Sequence, residues 1–478
     1  MTEPCDLTAV EMRRLIGRKR LSPIELVESC IARIEMVNPV LNAVVATCYD
    51  RAREEARAMT ERLVKGDELP PLFGLPVGIK DLNDTEGLRT TYGSPLYKDH
   101  VPNRDERLVR VLREAGAIVL AKTNTPEFGA GGNTTTNEVY GYTRNPFDVA
   151  RACGGSSGGA AVALATGMMP LAQGSDSGGS LRKPATFCGI TALRPTAGLV
   201  PSDKRAVGLT TSSVQGPMAR DAADTALFLQ TIVGSDGCDP LSYNIDRDDY
   251  RVLPEVDLSR LRVAVSVDFG SAPVDDGIRK TFEDRLAQFR GVFASCEERQ
   301  PDLETANDVF WILRGVLFLA NHLERYEKHR DQLGPNIVSN VEAGLAMTAE
   351  EIGWAYGEHT RLYRAFQEYF QDIDVLITPG QAVTPTAVEQ RNVTEINGMP
   401  MKNYLHASTI TSAITLTGHP AAAIPCGYDH TGAPFGLQVC GPKNGDMFTL
   451  GVARALERYF ADKPDLARPI PDLEPLKP

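Results

Sequence analysis

Apolar residues fall at helical spacing near the start of the chain, then contract into short uninterrupted runs. After Ser22, the residues Ile24, Val27, Ile31 and Ile34 share one stripe, as an amphipathic helix requires. Thr8-Ala-Val-Glu11 and Ser22-Pro23-Ile-Glu25 carry capping-box spacing, and Pro23 takes the favoured first helical position. The charge-rich stretch Ala43–Leu63 predicts a third helix. From Leu72 to Pro217 glycine becomes frequent and helical patterns alternate with apolar runs. One example is a helix capped by Asp105 and stopped by Gly116, followed by a strand at Ile118–Ala121. A helix over Arg220–Val233 and a strand over Leu261–Val267 follow. Residues Asp275–Asp372 read as mostly helical. Strand character returns at Val375–Thr378 and Ala423–Pro425, and Asp446 opens a last helix to Phe460. The Pro-rich tail Asp465–Pro478 follows. Such alternation argues for an α/β sheet with parallel elements. With no repeat and no linker, one domain over 1–478 is expected. It divides into a helical start (1–65), a glycine-rich core (66–235), a mostly helical insertion (236–370) and a C-terminal return to the core (371–478).

Composition narrows the function. The 478 residues hold 50 Lys and Arg against 62 Asp and Glu, a net charge of −12 that disfavours nucleic acid and anionic membranes as partners. Nine cysteines, an odd number with no C-x-x-C pair, predict reduced thiols in a cytoplasm rather than a disulfide scaffold or zinc site. Glu3, Asp6 and Glu11 leave no signal-peptide pattern at the start. Two long uncharged stretches, Ala152–Ser175 and Asn403–Tyr428, are interrupted by Pro170 and Pro420 and read as buried core. The seven histidines form no H-E-x-x-H, and no phosphate-binding glycine loop occurs, so neither metal nor nucleotide cofactor is expected.

The chemistry points to two glycine-framed serine loops, Gly154-Gly-Ser156-Ser-Gly-Gly159 and Gly174-Ser-Asp176-Ser-Gly-Gly-Ser180. Glycine lets the backbone turn sharply and brings amide N–H groups near a ligand, where they can stabilise an oxyanion. Two structural turns would look the same. Ser156 also fits G-x-S-x-G, the nucleophile elbow of an α/β-hydrolase esterase, with His406, His419 and His430 downstream. The preceding Val149–Cys153 makes a poor strand for that reading. Asp176 and Arg182 are expected to brace the loop, and His419 to pack in the core.

These loops resemble the serine-rich signature of the amidase signature family, continuing through Leu181-Arg-Lys-Pro-Ala185. Gly74-Leu-Pro-Val-Gly-Ile-Lys80-Asp81 resembles that family's lysine segment, and Leu416–Ala421 with Gly436–Pro442 resembles its C-terminal core. The resemblance implies a large twisted mixed β-sheet covered by helices on both faces, often in a homodimer. It implies Ser180 as nucleophile, Ser156 as a bridging serine after a cis peptide bond, and Lys80 as base. The amides of Ser177, Gly178, Gly179 and Ser180 correspond to its oxyanion hole, with Ser177 where threonine is commoner. A buried lysine can serve as base only when neutral. The implied activity is cofactor-free hydrolysis of a small or medium neutral amide. Gly129, Trp311 and Trp354 are candidate substrate contacts, alongside Phe310, Phe318 and Tyr356 in the least family-like region. The alternative is the glutamine-hydrolysing component of a tRNA-dependent amidotransferase. Those proteins usually read Lys-Asp-Asn-Ile where this chain has Lys80-Asp-Leu-Asn.

Overall fold

A computed structural model describes residues 3–477. Eleven strands form one sheet. In chain order they are β1 (Val44–Thr47), β2 (Pro76–Lys80), β3 (Ile118–Thr123), β4 (Leu171–Asp176), β5 (Thr191–Arg194) and β6 (Val214–Ala219). The second half adds β7 (Arg262–Val265), β8 (Ser295–Glu298), β9 (Val375–Pro379), β10 (Ala421–Tyr428) and β11 (Pro434–Cys440). Their order across the sheet is β1-β3-β2-β4-β6-β5-β10-β11-β9-β7-β8. Parallel runs β3-β2-β4 and β9-β7-β8 flank an antiparallel centre, and β1 is an antiparallel edge. Every residue of β2, β3, β6, β9 and β11 is buried. Successive side chains point to opposite faces, so both faces of these strands are covered. Thirteen α-helices accompany the sheet among the described residues, giving the expected mixed α/β architecture.

The N-terminal helices show how far capping signals carry. Ser22 Oγ accepts the Glu25 N–H at 3.2 Å and Glu25 accepts the Ser22 N–H at 2.8 Å, a complete capping box for helix Pro23–Leu41. Such a cap contributes about 1 kcal/mol. Thr8 completes only half of its box, because the Glu11 carboxylate turns to Arg14 instead. The predicted helix over Ala43–Leu63 is corrected at its start. Val44–Thr47 is strand β1, paired with β3, and the helix runs Tyr49–Lys65. The uncharged Val-Val-Ala-Thr suits a strand, and the charges begin only at Asp50. Asp105 does not cap its helix; it accepts from the Glu86 N–H and from Arg113. Strand β11 is absent from the pattern-based reading, since Gly436 and Gln438 interrupt its apolar run. It is held by a hairpin whose turn uses Gly432 at φ +79°.

Candidate active site

Strands β2 and β4 are parallel neighbours, so Lys80 at the end of one lies beside Ser175 and Asp176 at the end of the other. Ligands commonly bind off such carboxyl ends. Ser156 and Ser157 arrive between the short strand Asp148–Ala152 and the wholly buried helix Gly158–Ala165. That helix seats closely because it opens on glycine: a Cβ on Gly159 would stand 2.3 Å from the Asn124 nitrogen. The Gly155–Ser156 peptide bond is cis. The Ser157 N–H donates to the Ser180 carbonyl at 3.1 Å, which joins the two glycine-framed loops.

Lys80 is fully buried, and its Nζ meets three hydroxyls: Ser156 Oγ at 2.7 Å, Ser157 Oγ at 2.9 Å and Ser175 Oγ at 3.1 Å. Among the described residues no carboxylate forms an ion pair with it. Neighbouring Asp81 turns away to accept from the Thr91 amide and hydroxyl. Burial lowers the Lys80 pKa to about 7, against the opposing attraction of Asp176. Ser156 is thus partnered by a lysine. Of the three downstream histidines, His419 packs against Phe366 and Phe370, and His406 meets the Lys402 N–H.

Asp176 accepts from the Gly179 and Leu181 amides at 2.9 and 3.1 Å. Buried Arg182 and Arg194 reach it at 2.9 and 3.2 Å and hold its carboxyl well below the usual range, against the cost of its burial. Asp176 and Arg182 therefore brace the loop, as expected. The oxyanion-hole expectation needs one correction. The Gly179 N–H is committed to Asp176, whereas the amides of Ser177, Gly178 and Ser180 have no protein acceptor among the described residues. Gly179 has φ +119°, and a Cβ there would meet Thr411 Oγ1 at 2.3 Å.

Ser156, Ser177, Gly178 and Ser180 open onto a cavity of about 460 Å³. Gly129 lines it with φ +72°, where a Cβ would lie 3.4 Å from Ser156 Oγ. Phe318 also lines it, but Trp311 and Trp354 do not. Trp311 lies one helical turn before the cavity-facing residues of helix Ala306–His329 and packs edge-on against Tyr404. Trp354 belongs to a separate helix and is 45% exposed. Phe310 is buried, its ring 2.9 Å from where a Gly178 Cβ would stand, and Tyr356 is exposed. The aromatic wall comes instead from Tyr92, Tyr97 and Phe128, with Tyr92 and Tyr97 in edge contact at 5.0 Å. Tyr97 and Phe128 lie in single 3-10 turns and Tyr92 in a loop, none with a periodicity that could have marked it. Trp354→Ala should leave amide turnover within about twofold and stability within about 0.5 kcal/mol, as for exposed side chains generally; kinetics and thermal melting check this. Among the described residues, no three His, Cys, Asp or Glu side chains gather into a metal-holding group.

The family model described as Amidase matches residues 25–450. An acylamidase of Rhodococcus erythropolis is 32% identical, covering 96% of each chain. A glutamyl-tRNA(Gln) amidotransferase subunit from Moorella thermoacetica is 34% identical over 96% of this chain and 98% of its own. The crystal structure of a bacterial aryl acylamidase of the amidase signature enzymes superposes with a TM-score of 0.88 at 27% identity, covering 96% of both chains.

Proposed function

This chain belongs to the amidase signature family and cleaves amide C–N bonds, and we propose that it does so through an acyl-enzyme on Ser180. The carrying observation is Lys80: a buried amine with no carboxylate partner among the described residues, set among three hydroxyls beside the loop of Ser177, Gly178 and Ser180. A neutral amine has two N–H donors and one lone pair. Ser157 and Ser175 accept the two N–H groups, and the lone pair takes the proton of Ser156. Ser156 in turn takes the proton of Ser180 as its oxygen attacks the amide carbon. The amides of Ser177, Gly178 and Ser180 are the donors available to the resulting oxyanion. On collapse the proton returns through Ser156 to the leaving nitrogen and the C–N bond breaks. Water then attacks the ester carbonyl by the same relay, releasing the acid and restoring Ser180.

The substrate class that suits the cavity is a small or medium amide with an apolar or aromatic portion, received by Tyr92, Tyr97, Phe128 and Phe318. The acylamidase and aryl acylamidase likenesses support this class. A cytoplasmic homodimer completes the reading. All nine cysteines are free thiols, which suits a reducing compartment, while the dimer is carried by the family resemblance alone. No helix among the described residues is long and apolar enough to cross a membrane.

A serine-directed fluorophosphonate should add one label, located at Ser180 by peptide mass spectrometry. Chelators should leave turnover intact. A label on Ser156 would overturn the assignment in favour of an elbow-type esterase. The likeness to the Moorella amidotransferase favours one second reading, a glutamine-hydrolysing component that needs partners. Turnover of simple amides by the purified chain alone decides against it.

A further inference from the structure

The cavity carries cations that the proposed chemistry does not use. Helix Ala306–His329 turns Arg314, Phe318, His322 and Arg325 toward it. Arg314 lies 4.5 Å from the Phe318 ring centre and Arg325 lies 5.1 Å from that of Phe128. His322 sits between those two rings, at 4.7 Å from Phe128 and 5.1 Å from Phe318. Burial first, then the charges of Arg325 and Arg314, push His322 down to about 3, so its ring is neutral.

Among the described residues neither arginine has an acidic partner. Arg314 is only 7% exposed, and its partners are the neutral oxygens of Asn340 and Tyr404, which leaves Nη1 without a protein acceptor. Arg325 donates to the Tyr97 hydroxyl and the Asn321 carbonyl. Four of the other five buried arginines are paired with an acid. Arg33, Arg107, Arg182 and Arg194 each have a carboxylate within 3.2 Å, and Arg220 gives two nitrogens to backbone carbonyls. The two acids of the cavity are already engaged, Asp176 by its arginines and Glu106 by Asn83, Gln215 and the Asp84 amide. A buried guanidinium lacking a counter-ion is costly, and its planar fork suits a carboxylate.

We propose that Arg314 and Arg325 form an anion subsite, and that the preferred substrate is an amide bearing a carboxylate on an apolar or aryl frame that lies among Phe128, Phe318 and Tyr97. The proposal rests on the amidase reading and narrows it. The chain's net charge of −12 disfavours polyanionic substrates, whereas the cavity wall sets Lys183, Lys204, Arg205, Arg314 and Arg325 against Glu106 and Asp176. The carboxylate can sit on the acyl side or on the leaving amine.

Two matched pairs separate these cases. Para-carbamoylbenzoate against para-toluamide tests the acyl side, and para-acetamidobenzoate against acet-para-toluidide tests the amine side. In at least one pair the acid should be favoured in kcat/KM by about 10-fold or more, the scale of one charge-assisted contact. Arg314→Gln should collapse that ratio toward one through KM, and Arg314→Lys should restore part of it. Should Arg314→Gln not fold, Arg325→Gln serves the same purpose. Calorimetry on Ser180→Ala protein reads the subsite without turnover and should show the same preference in binding. Selective binding without turnover in the wild type would uphold the subsite and count against the acyl-enzyme reading. Equal or weaker binding of the acids in both pairs overturns the proposal, as does a Gln variant that keeps the preference.

Discussion

Ser180→Ala is expected to lower kcat by about 10⁴-fold or more, because no other group can form the acyl bond once the nucleophile is gone. The fold should survive. Ser180 packs into the loop by backbone rather than side chain: its carbonyl accepts the Ser157 amide. The loop itself is braced by Asp176, Arg182 and Arg194. Ser156→Ala should cost less, since water admitted from the cavity can relay a proton but cannot replace the nucleophile. The contrast between the two variants is the discriminating measurement. Single-turnover assays with an activated anilide should show no acyl-enzyme burst in Ser180→Ala and a slowed burst in Ser156→Ala. If Ser156→Ala lost the burst and Ser180→Ala kept it, the roles would be exchanged.

What the sequence shows of this site follows from where the constraints are local. Glycines that must turn or approach closely sit beside the reactive serines, so Gly154–Gly159 and Gly174–Ser180 announce themselves within a few residues. The meeting of Lys80 with Ser175 depends on the parallel pairing of β2 and β4, which spacing alone does not encode; the family resemblance supplies Lys80 with Ser156, and only the structure adds Ser157 and Ser175. The cavity wall is legible only in part. Phe318 is among the candidate aromatics, but Trp311 and Trp354 stand out by rarity, and rarity says nothing about which way a helix faces. Tyr92, Tyr97 and Phe128 are brought together by segments whose conformation is set by distant contacts, such as the Phe128 N–H donating to the Tyr92 carbonyl at 2.7 Å. The oxyanion loop shows the same limit at finer scale. Four consecutive amides look equivalent in the sequence, yet the Asp176 carboxylate claims the one from Gly179.

Lys80→Ala is expected to cost about 10³-fold or more in kcat/KM, since positioned proton transfer contributes about 10²–10⁴ and base and nucleophile act together. Lys80→Arg should be as damaging, which separates a base from a mere positive charge. A guanidinium stays protonated at any working pH and has no lone pair to accept the Ser156 proton. The wild-type pH profile follows from the same lone pair. Below its pKa of about 7 Lys80 is an ammonium and cannot accept a proton, so log kcat/KM should rise with unit slope up to about pH 7. Above that the amine is neutral and the profile should level off. The direction comes from burial: desolvation disfavours the charged form, and Asp176 only partly opposes it because Arg182 and Arg194 already neutralise that carboxylate. The low-pH limb should vanish in the residual activity of Lys80→Ala, because the titrating group is gone. Near-wild-type turnover in Lys80→Arg, or a limb that persists in Lys80→Ala, would remove Lys80 from the proton path and leave the three-hydroxyl cluster without its base.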